Sequence, residues 1–203
     1  MMREQVLAWL ANNVPPHRVQ HILGVEQMAS DLASHYHLDV KKAAIAGLMH
    51  DLAKYFKPQL LLQMAKEEGL ELDPVDLLHP HLLHADVGAI VARDTFKVKD
   101  EEVLQAIRNH TLGRPGMDRL SSILFIADTI ELGRGNTPEL EALRHKAKAN
   151  LDRAVWLTCD YSLRYLLDTR CLIHPRTIAT RNWALQMASQ KQQPTAEAAG
   201  KNY

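Results

Sequence analysis

Histidine and aspartate stand together at His50 and Asp51, directly after seven residues that are all apolar or glycine. Such a run predicts a helix that is buried on every side, and the pair at its end is predicted to be buried with it. A buried carboxylate without a partner is costly, so a cation must meet Asp51. Adjacent helical residues point about 100° apart, yet both side chains can reach a metal ion beside the helix. Such a pair is common by chance, so its interpretation as metal ligands depends on matching ligands elsewhere in the chain.

Four more histidines and aspartates lie on the apolar faces of other predicted helices. His21 shares a face with Val25 and Met28, which follow it by four and seven residues. Helical spacing also puts a polar residue in line with apolar ones on three further helices; these residues are His84, His110 and Asp128. One such histidine is ordinarily a hydrogen-bonded core residue. Four histidines with two aspartates are hard to satisfy unless they converge.

Together these six residues predict a site for two metal ions. Imidazole with carboxylate suits Fe, Mn, Zn, Ni or Co better than Mg or Ca, which prefer oxygen ligands. Six ligands exceed the needs of a tetrahedral structural zinc, but they suffice for two ions that share a carboxylate, and Asp51 is the best placed to bridge. The predicted ligands are His21, His50, Asp51, His84, His110 and Asp128.

The elements that position these residues are predicted to be helices. Aromatic residues make up only 5% of the chain, and β-branched runs are sparse, which favours an all-α protein. Asp39 and Asp100 are predicted helix caps, whereas His79 and His81 flank a proline and are predicted to lie in a loop. We expect helices over residues 3–12, 17–36, 58–70, 138–149, 151–168 and 176–188, with others beginning near residues 39, 84, 100 and 118.

Length and charge restrict the function classes. The 203 residues suffice for one domain, predicted at residues 1–188, and the polar residues 189–203 are predicted to be disordered. Lys and Arg number 24, as do Asp and Glu, so no global field attracts nucleic acid or an anionic membrane. No run approaches ~20 apolar residues. Cys159 and Cys171 lack the spacing of a metal site, which indicates a reducing, cytoplasmic location.

Three basic residues are candidates for holding phosphates. Lys54 lies three residues beyond Asp51, where it can contact a phosphate or pair with a neighbouring carboxylate. Arg114 follows His110 on a loop between glycine and proline, and its guanidinium can bind phosphate through two donors. Arg134 lies between two glycines, which suits the binding of a polyphosphate end as well as an ordinary surface position.

The order of the predicted ligands resembles that of the HD-domain metal-dependent phosphohydrolases. More closely, the residues around them are similar to the YqeK family, the symmetrical diadenosine tetraphosphate hydrolases of HD type. The resemblance covers about residues 3–187. It is carried by His50-Asp51-Leu52-Ala53-Lys54-Tyr55, Leu83-His84-Ala85 with Val87-Gly88-Ala89, Ile107-Arg108-Asn109-His110-Thr111 with Gly113-Arg114-Pro115, Phe125-Ile126-Ala127-Asp128 with Ile130-Glu131, and Ile173-His174-Pro175 with Thr177 and Arg181-Asn182.

Four positions depart from the pattern of this family. Leu112 stands where the second threonine of His-Thr-Thr-Gly-Arg-Pro is usual. Thr129 and Leu132 replace the tyrosine and the proline of Ala-Asp-Tyr-Ile-Glu-Pro, and Asp86 occupies a position where proline is common. None of these changes removes a predicted ligand, so they bear on substrate preference and rate rather than on metal binding.

The resemblance implies an all-α HD-domain helical bundle with a buried di-metal site. All six predicted ligands match ligand positions of the family, in which the metal is often iron; Mn, Co, Ni and Zn are the alternatives. Lys54, Arg114 and Arg134 match positions where substrate phosphates are held. Asp51, Lys54 and Arg114 are accordingly the predicted catalytic residues.

We therefore expect a metal-dependent hydrolase that cleaves diadenosine tetraphosphate and related dinucleotides into two nucleoside diphosphates. We expect its partner to be a small-molecule nucleotide rather than nucleic acid or a membrane. The sequence does not decide between a monomer and a homodimer. One alternative is another HD phosphohydrolase, a nucleotidase or a guanosine tetra/pentaphosphate hydrolase. A second is a regulatory module that binds metal and nucleotide without turnover. The cyclic-dinucleotide type is disfavoured because the sequence lacks its HD-plus-Gly-Tyr-Pro signature.

Overall fold

A computed structural model describes residues 2–190, and this part of the chain consists of helices without strands. The all-α prediction is confirmed. The α-helices are α1 Met2–Asn13, α2 Pro16–His35, α3 Val40–Met49, α4 Pro58–Glu67, α5 Pro74–Leu78, α6 His84–Asp94, α7 Glu101–Asn109, α8 Arg119–Ile130, α9 Pro138–Ala149, α10 Leu151–Asp168 and α11 Pro175–Gln190. Two 3-10 turns, Pro80–Leu83 and Leu132–Arg134, lie between them.

The C-terminal boundary predicted at residue 188 falls within α11, which continues through Gln190. Residues 191–203 of the predicted tail lie outside the described residues. Among residues 2–190, no helix has the length and apolar character needed to span a membrane.

The histidine-rich segment before α6 is more ordered than the loop predicted for it. Asp73 caps α5 in a capping box with Asp76, and Pro80 begins a 3-10 turn that contains His81. His79 lies outside the helices, as predicted. Proline at the first helical position presets φ and has no N–H to leave unpaired, which is why a helical turn can begin here without further support from apolar periodicity.

Helix α3 delivers the His-Asp pair to the interior. Asp39 caps the helix as predicted, with its side chain accepting two backbone N–H donors of the first turn. Gly47 permits a close approach to α2, because a Cβ at this position would lie 2.8 Å from the Cα of Glu26. The helix ends one residue before His50, so His50 and Asp51 lie in the turn that follows it rather than within it.

Helix α8 forms the centre of the bundle. Its N-terminus is capped by Asp118, nine of its twelve residues are buried, and it contacts α2, α3, α7 and α10. Helix α10 in turn contacts α9 and α11, which cover the outer side. This arrangement brings Asp128, near the end of α8, against the elements that carry the other predicted ligands.

Candidate metal centre

The six residues predicted as ligands converge at one place in the bundle. They come from five elements: α2, the turn after α3, the start of α6, the residue after α7, and α8. Two groups of three have ligand atoms that lie within 4.8 Å of one another: His21 with His50 and Asp51, and Asp51 with His84 and His110. Asp51 belongs to both groups.

Asp128 joins the first of these groups. Its Oδ1 lies 3.0 Å from His21 Nε2 and 3.8 Å from His50 Nε2. The shared Asp51 therefore has three candidate ligands on one side, His21, His50 and Asp128, and two on the other, His84 and His110.

The carboxylate of Asp51 faces both groups at once. Its Oδ2 lies 3.4 Å from His50 Nε2 and 4.0 Å from His21 Nε2. Its Oδ1 lies 3.3 Å from His84 Nε2 and 3.8 Å from His110 Nε2. Because each oxygen addresses its own pair of imidazoles, Asp51 has the geometry of a carboxylate that can bridge two ions.

Backbone carbonyls orient three of the imidazoles. In each, Nδ1 lies 2.6–2.7 Å from the carbonyl oxygen three residues earlier; the pairs are His50 with Gly47, His84 with His81, and His110 with Ile107. A carbonyl can only accept, so Nδ1 carries the hydrogen and, in the neutral ring, Nε2 presents its lone pair to the cluster.

The resulting arrangement fits divalent metal ions. The Nε2 atoms of His84 and His110 lie 3.1 Å apart with their lone pairs directed inward, an arrangement that a cation between imidazoles and carboxylates stabilises. The Nε2 of His50 is buried and has no hydrogen-bond partner within the described structure. A buried imidazole nitrogen 3.4–3.8 Å from two aspartate carboxylates is well placed for metal ligation.

Glu131 orients the fourth imidazole and was not assigned a role from the sequence. Its Oε1 lies 3.0 Å from His21 Nδ1, and its other oxygen accepts the backbone N–H of Gly133. Gly24 makes room for it, because a Cβ there would lie 2.4 Å from Glu131 Oε2. A carboxylate behind a ligating histidine raises its basicity and fixes its ring. The sequence offered one indication of this role, because Glu131 is an acidic residue between the apolar end of α8 and a glycine.

Arg18 is the second residue that the sequence reasoning missed. Its Nη1 lies 3.0 Å from Asp51 Oδ2, and only 20% of its side chain is exposed. It precedes His21 by three residues on α2, so both side chains lie on the same face of that helix. The sequence offered one indication of this role, because Arg18 is a basic residue one helical turn before the predicted ligand His21. Arg18 supplies part of the positive charge that the burial of Asp51 demands.

The predicted phosphate-binding residues are placed differently from one another. Lys54 Nζ lies 3.3 Å from His84 Nε2. Arg134 Nη2 lies 2.8 Å from Asp128 Oδ1, and its Nε donates to the backbone carbonyl of Asp128 at 2.9 Å. Arg114 is exposed and, within residues 2–190, its side chain makes no hydrogen bond or ion pair. The structure thus brings Lys54 and Arg134 to the cluster and leaves Arg114 in solvent.

The electrostatics keep both aspartates ionised. Burial would raise the pKa of Asp51, but the positive charge of His50 and the nearby imidazole of His84 outweigh it and hold that pKa well below its usual value. Desolvation also opposes ionisation of Asp128, whose pKa is nevertheless lowered by the hydrogen bond from His21 and by nearby positive charge. Both side chains are therefore available as anionic ligands near neutral pH.

Two of the buried histidines, His110 and His50, differ in their readiness to bind metal. Burial and the charges of His50 and His84 lower the pKa of His110 well below its usual value, so this ring is neutral. Burial also lowers the pKa of His50, but the negative charges of Asp51 and Asp128 outweigh it, and the net result is a raised pKa. A proton on His50 must leave before its Nε2 can ligate.

The HD-domain family pattern matches residues 18–133, a span that contains all six candidate ligands. The chain belongs to the HD-domain family. Within this HD-domain protein, the matched span also includes Arg18, Lys54 and Glu131, whereas Arg134 follows directly after it.

Similar proteins indicate a more specific group within the HD-domain family. A protein of Halalkalibacterium halodurans named symmetrical bis(5'-nucleosyl)-tetraphosphatase is 38% identical over 91% of this chain and 98% of its own. A protein of Bacillus subtilis with the same name is 36% identical over 90% and 97%. A solved structure from Clostridium acetobutylicum, described as a predicted HD superfamily hydrolase involved in NAD metabolism, has a TM-score of 0.86 at 36% identity, over 91% of this chain and 97% of that chain. The resemblance to the symmetrical tetraphosphatases is confirmed.

We expect the wild-type protein to bind two metal ions per chain and the Asp51→Asn variant to bind at most one, because the amide removes the charge that both ligand groups share. The measurement is elemental analysis of protein purified without oxygen or chelators, with circular dichroism as the check on helicity. The matched control is Asp76→Asn, which changes a buried carboxylate paired with His174 outside the cluster. A two-metal Asp51→Asn protein would contradict the bridging role.

Metal affinity should rise as the pH is raised from about 6 to about 8. The raised pKa of His50 means that this ring is protonated more readily than an ordinary histidine, and metal binding must displace any proton that it holds. Calorimetric titration of the metal in buffers of different ionisation enthalpy counts the protons released at each pH. The exposed His145 provides the control substitution, His145→Gln. Affinity that does not vary with pH would show that His50 is already neutral.

Proposed function

We propose that this HD-domain protein hydrolyses diadenosine tetraphosphate, and related dinucleoside polyphosphates, symmetrically into two nucleoside diphosphates. The observation that carries the proposal is the Asp51 carboxylate, whose oxygens face two separate groups of candidate ligands. The two relatives named for the symmetrical reaction support it, because they match this chain over almost their whole length.

We propose that the cluster holds two divalent ions through the six candidate ligands. Iron is the first candidate, with Mn, Co, Ni and Zn as alternatives, because a set of four imidazoles and two carboxylates suits these metals. When bound, such ions activate a water molecule and polarise phosphoryl oxygens. The paired oxygens of Asp51 and the inward-facing Nε2 atoms support this assignment.

The residues around the cluster supply the charge that a tetraphosphate needs. Arg18, Lys54 and Arg134 each have a nitrogen 2.8–3.3 Å from a candidate ligand, so each can turn to a phosphate oxygen when substrate enters. The hydroxyl of Thr111 lies 3.0 Å from His110 Nε2 and is a further donor. For phosphoryl transfer, the protein has mainly to position the reacting groups and neutralise their charge. Arg114 is proposed to clamp an outer phosphate from its exposed loop.

The bond that breaks is the central phosphoanhydride. Water attacks the phosphorus of one inner phosphate, the bond from that phosphorus to the central bridging oxygen breaks, and one ADP leaves with that oxygen. The second ADP keeps the oxygen of the water, and the released protons pass to solvent. We assign the reaction to the cytoplasm, where free thiols persist; both cysteines, Cys159 and Cys171, are free in the described structure.

Turnover of diadenosine tetraphosphate in oxygen-18 water tests the proposal. The metal-loaded protein should yield ADP alone, with one heavy oxygen in half of the ADP molecules, because each event labels one of two equivalent products. Equal amounts of AMP and ATP would contradict symmetrical cleavage but not the metal centre. Tight binding without product at full metal occupancy would favour a regulatory module, and preference for a mononucleotide or guanosine tetraphosphate in a substrate panel would favour another HD hydrolase.

Replacing Arg114 with Ala should reduce kcat/KM by about 10- to 100-fold, the loss expected for one charge-assisted phosphate contact. Metal content and melting temperature should not change, because the exposed side chain has no partner within the described residues. The control is Arg164→Ala, which removes an exposed arginine of α10. Unchanged kinetics with a lowered melting temperature would make Arg114 a structural residue instead.

A further inference from the structure

A cleft of about 360 Å³ opens beside the candidate metal centre. Most of its lining comes from the loop after α7, the end of α8 and one face of α10, with single residues from the two 3-10 turns and from α11. Asp128 is the one candidate metal ligand in this lining, so most of the cleft has no role in metal binding.

The cleft is continuous with the reacting centre. Asp128, one of the candidate ligands, lies in its wall, and so does Thr111, whose hydroxyl is 3.0 Å from His110 Nε2. Arg134, paired with Asp128 at 2.8 Å, also lines it. A molecule held at the metal centre by its phosphates therefore has space beside it for the group attached to those phosphates.

Tyr165 presents an aromatic ring to this space. The residue is 65% exposed, and within residues 2–190 its side chain has no hydrogen-bond or ring partner. Tyr161, one turn earlier on α10, is partly buried and packs against the core, which holds this part of the helix in place. An exposed ring beside an active centre is surface that a flat ligand can cover.

The nearly uncharged lining of the cleft suits a nucleoside better than it suits further phosphates. Apart from the Asp128–Arg134 pair, the described lining is uncharged: it combines leucine side chains with the hydroxyls of Thr129, Ser162 and Thr177. Hydroxyls suit the sugar and the base edge, while leucine and tyrosine suit the faces of a base. The remaining cations near the cluster, Arg18 and Lys54, do not line the cleft.

Two departures from the family pattern meet in this cleft. Leu112 and Thr129 are separated by 16 intervening residues, yet both line it. Leucine in place of threonine removes a hydroxyl, and threonine in place of tyrosine removes an aromatic ring from the wall formed by α8. An aromatic ring for stacking is instead supplied by Tyr165 of α10, which lines the same cleft as Thr129 and Leu112.

We propose that the cleft binds one nucleoside of the dinucleoside polyphosphate, with its base stacked on Tyr165; this assignment rests on the proposed function. The phosphate chain then runs from the cleft past Arg134 and Asp128 to the metal centre. Leu112 and Thr129 set the width of the cleft opposite the ring. Tyr165 is a binding residue, so its loss affects the affinity for nucleosides rather than the chemical step.

The test compares Tyr165→Ala, Tyr165→Phe and the control Leu167→Ala, which changes a residue that is 64% exposed on the same helix but does not line the cleft. For the metal-loaded proteins, we would measure Kd for ADP and for inorganic pyrophosphate, and KM and kcat for diadenosine tetraphosphate. Tyr165→Ala should weaken ADP binding and raise KM by about 5- to 150-fold, the range for stacking of one base. Pyrophosphate affinity and kcat should not change, and the other two variants should resemble wild type.

Unchanged ADP affinity in Tyr165→Ala would overturn the proposed subsite, even if the wild-type protein hydrolyses diadenosine tetraphosphate. An equal loss of pyrophosphate and ADP affinity would also overturn it, because the ring would then act on the metal centre. The reverse result separates the two proposals: a wild-type protein that binds ADP through Tyr165 but forms no product keeps the subsite and contradicts the hydrolase function.

Discussion

The buried carboxylate of Asp51 is the interaction on which the rest of the structure depends. Its side chain is 2% exposed, and its ionised form is favoured by Arg18, 3.0 Å from Oδ2, and by the nearby His50 and His84. Removing water from a charge is costly unless opposite charge and hydrogen bonds replace it. The helices that carry these partners must therefore end, begin or cross at one point.

The bundle meets this demand with backbone groups as much as with side chains. Three histidines sit at helix ends or starts, where the carbonyl three residues earlier accepts from Nδ1. The fourth, His21, lies within α2, and its Nδ1 pairs with the carboxylate of Glu131 instead. Close approach between elements is possible because Gly24 and Gly47 have no Cβ. Fold and site are thus two consequences of the same packing.

The surroundings of the cluster divide into charged and uncharged parts, and this division suits the substrate. Arg18, Lys54 and Arg134 neutralise charge at the ligands themselves, whereas the adjacent cleft offers hydroxyls, leucines and the ring of Tyr165. A dinucleoside polyphosphate has the same two chemical parts, a polyanion and flat uncharged bases. Leu112 and Thr129 line the uncharged part, so they bear on nucleoside binding rather than on the ligands.

Helical periodicity determined much of this protein from its sequence. A polar residue on an apolar stripe has to find a partner inside, so the convergence of the six candidate ligands and most of the helices could be predicted. The roles of Arg18, Glu131 and Tyr165 could not. Glu131 reaches His21 across 110 positions of sequence, and Tyr165 meets Thr129 in a shared cleft. Such pairings depend on how closely α2, α8 and α10 pack and at what rotation, which is set by side-chain shape along whole helices and not by any local pattern.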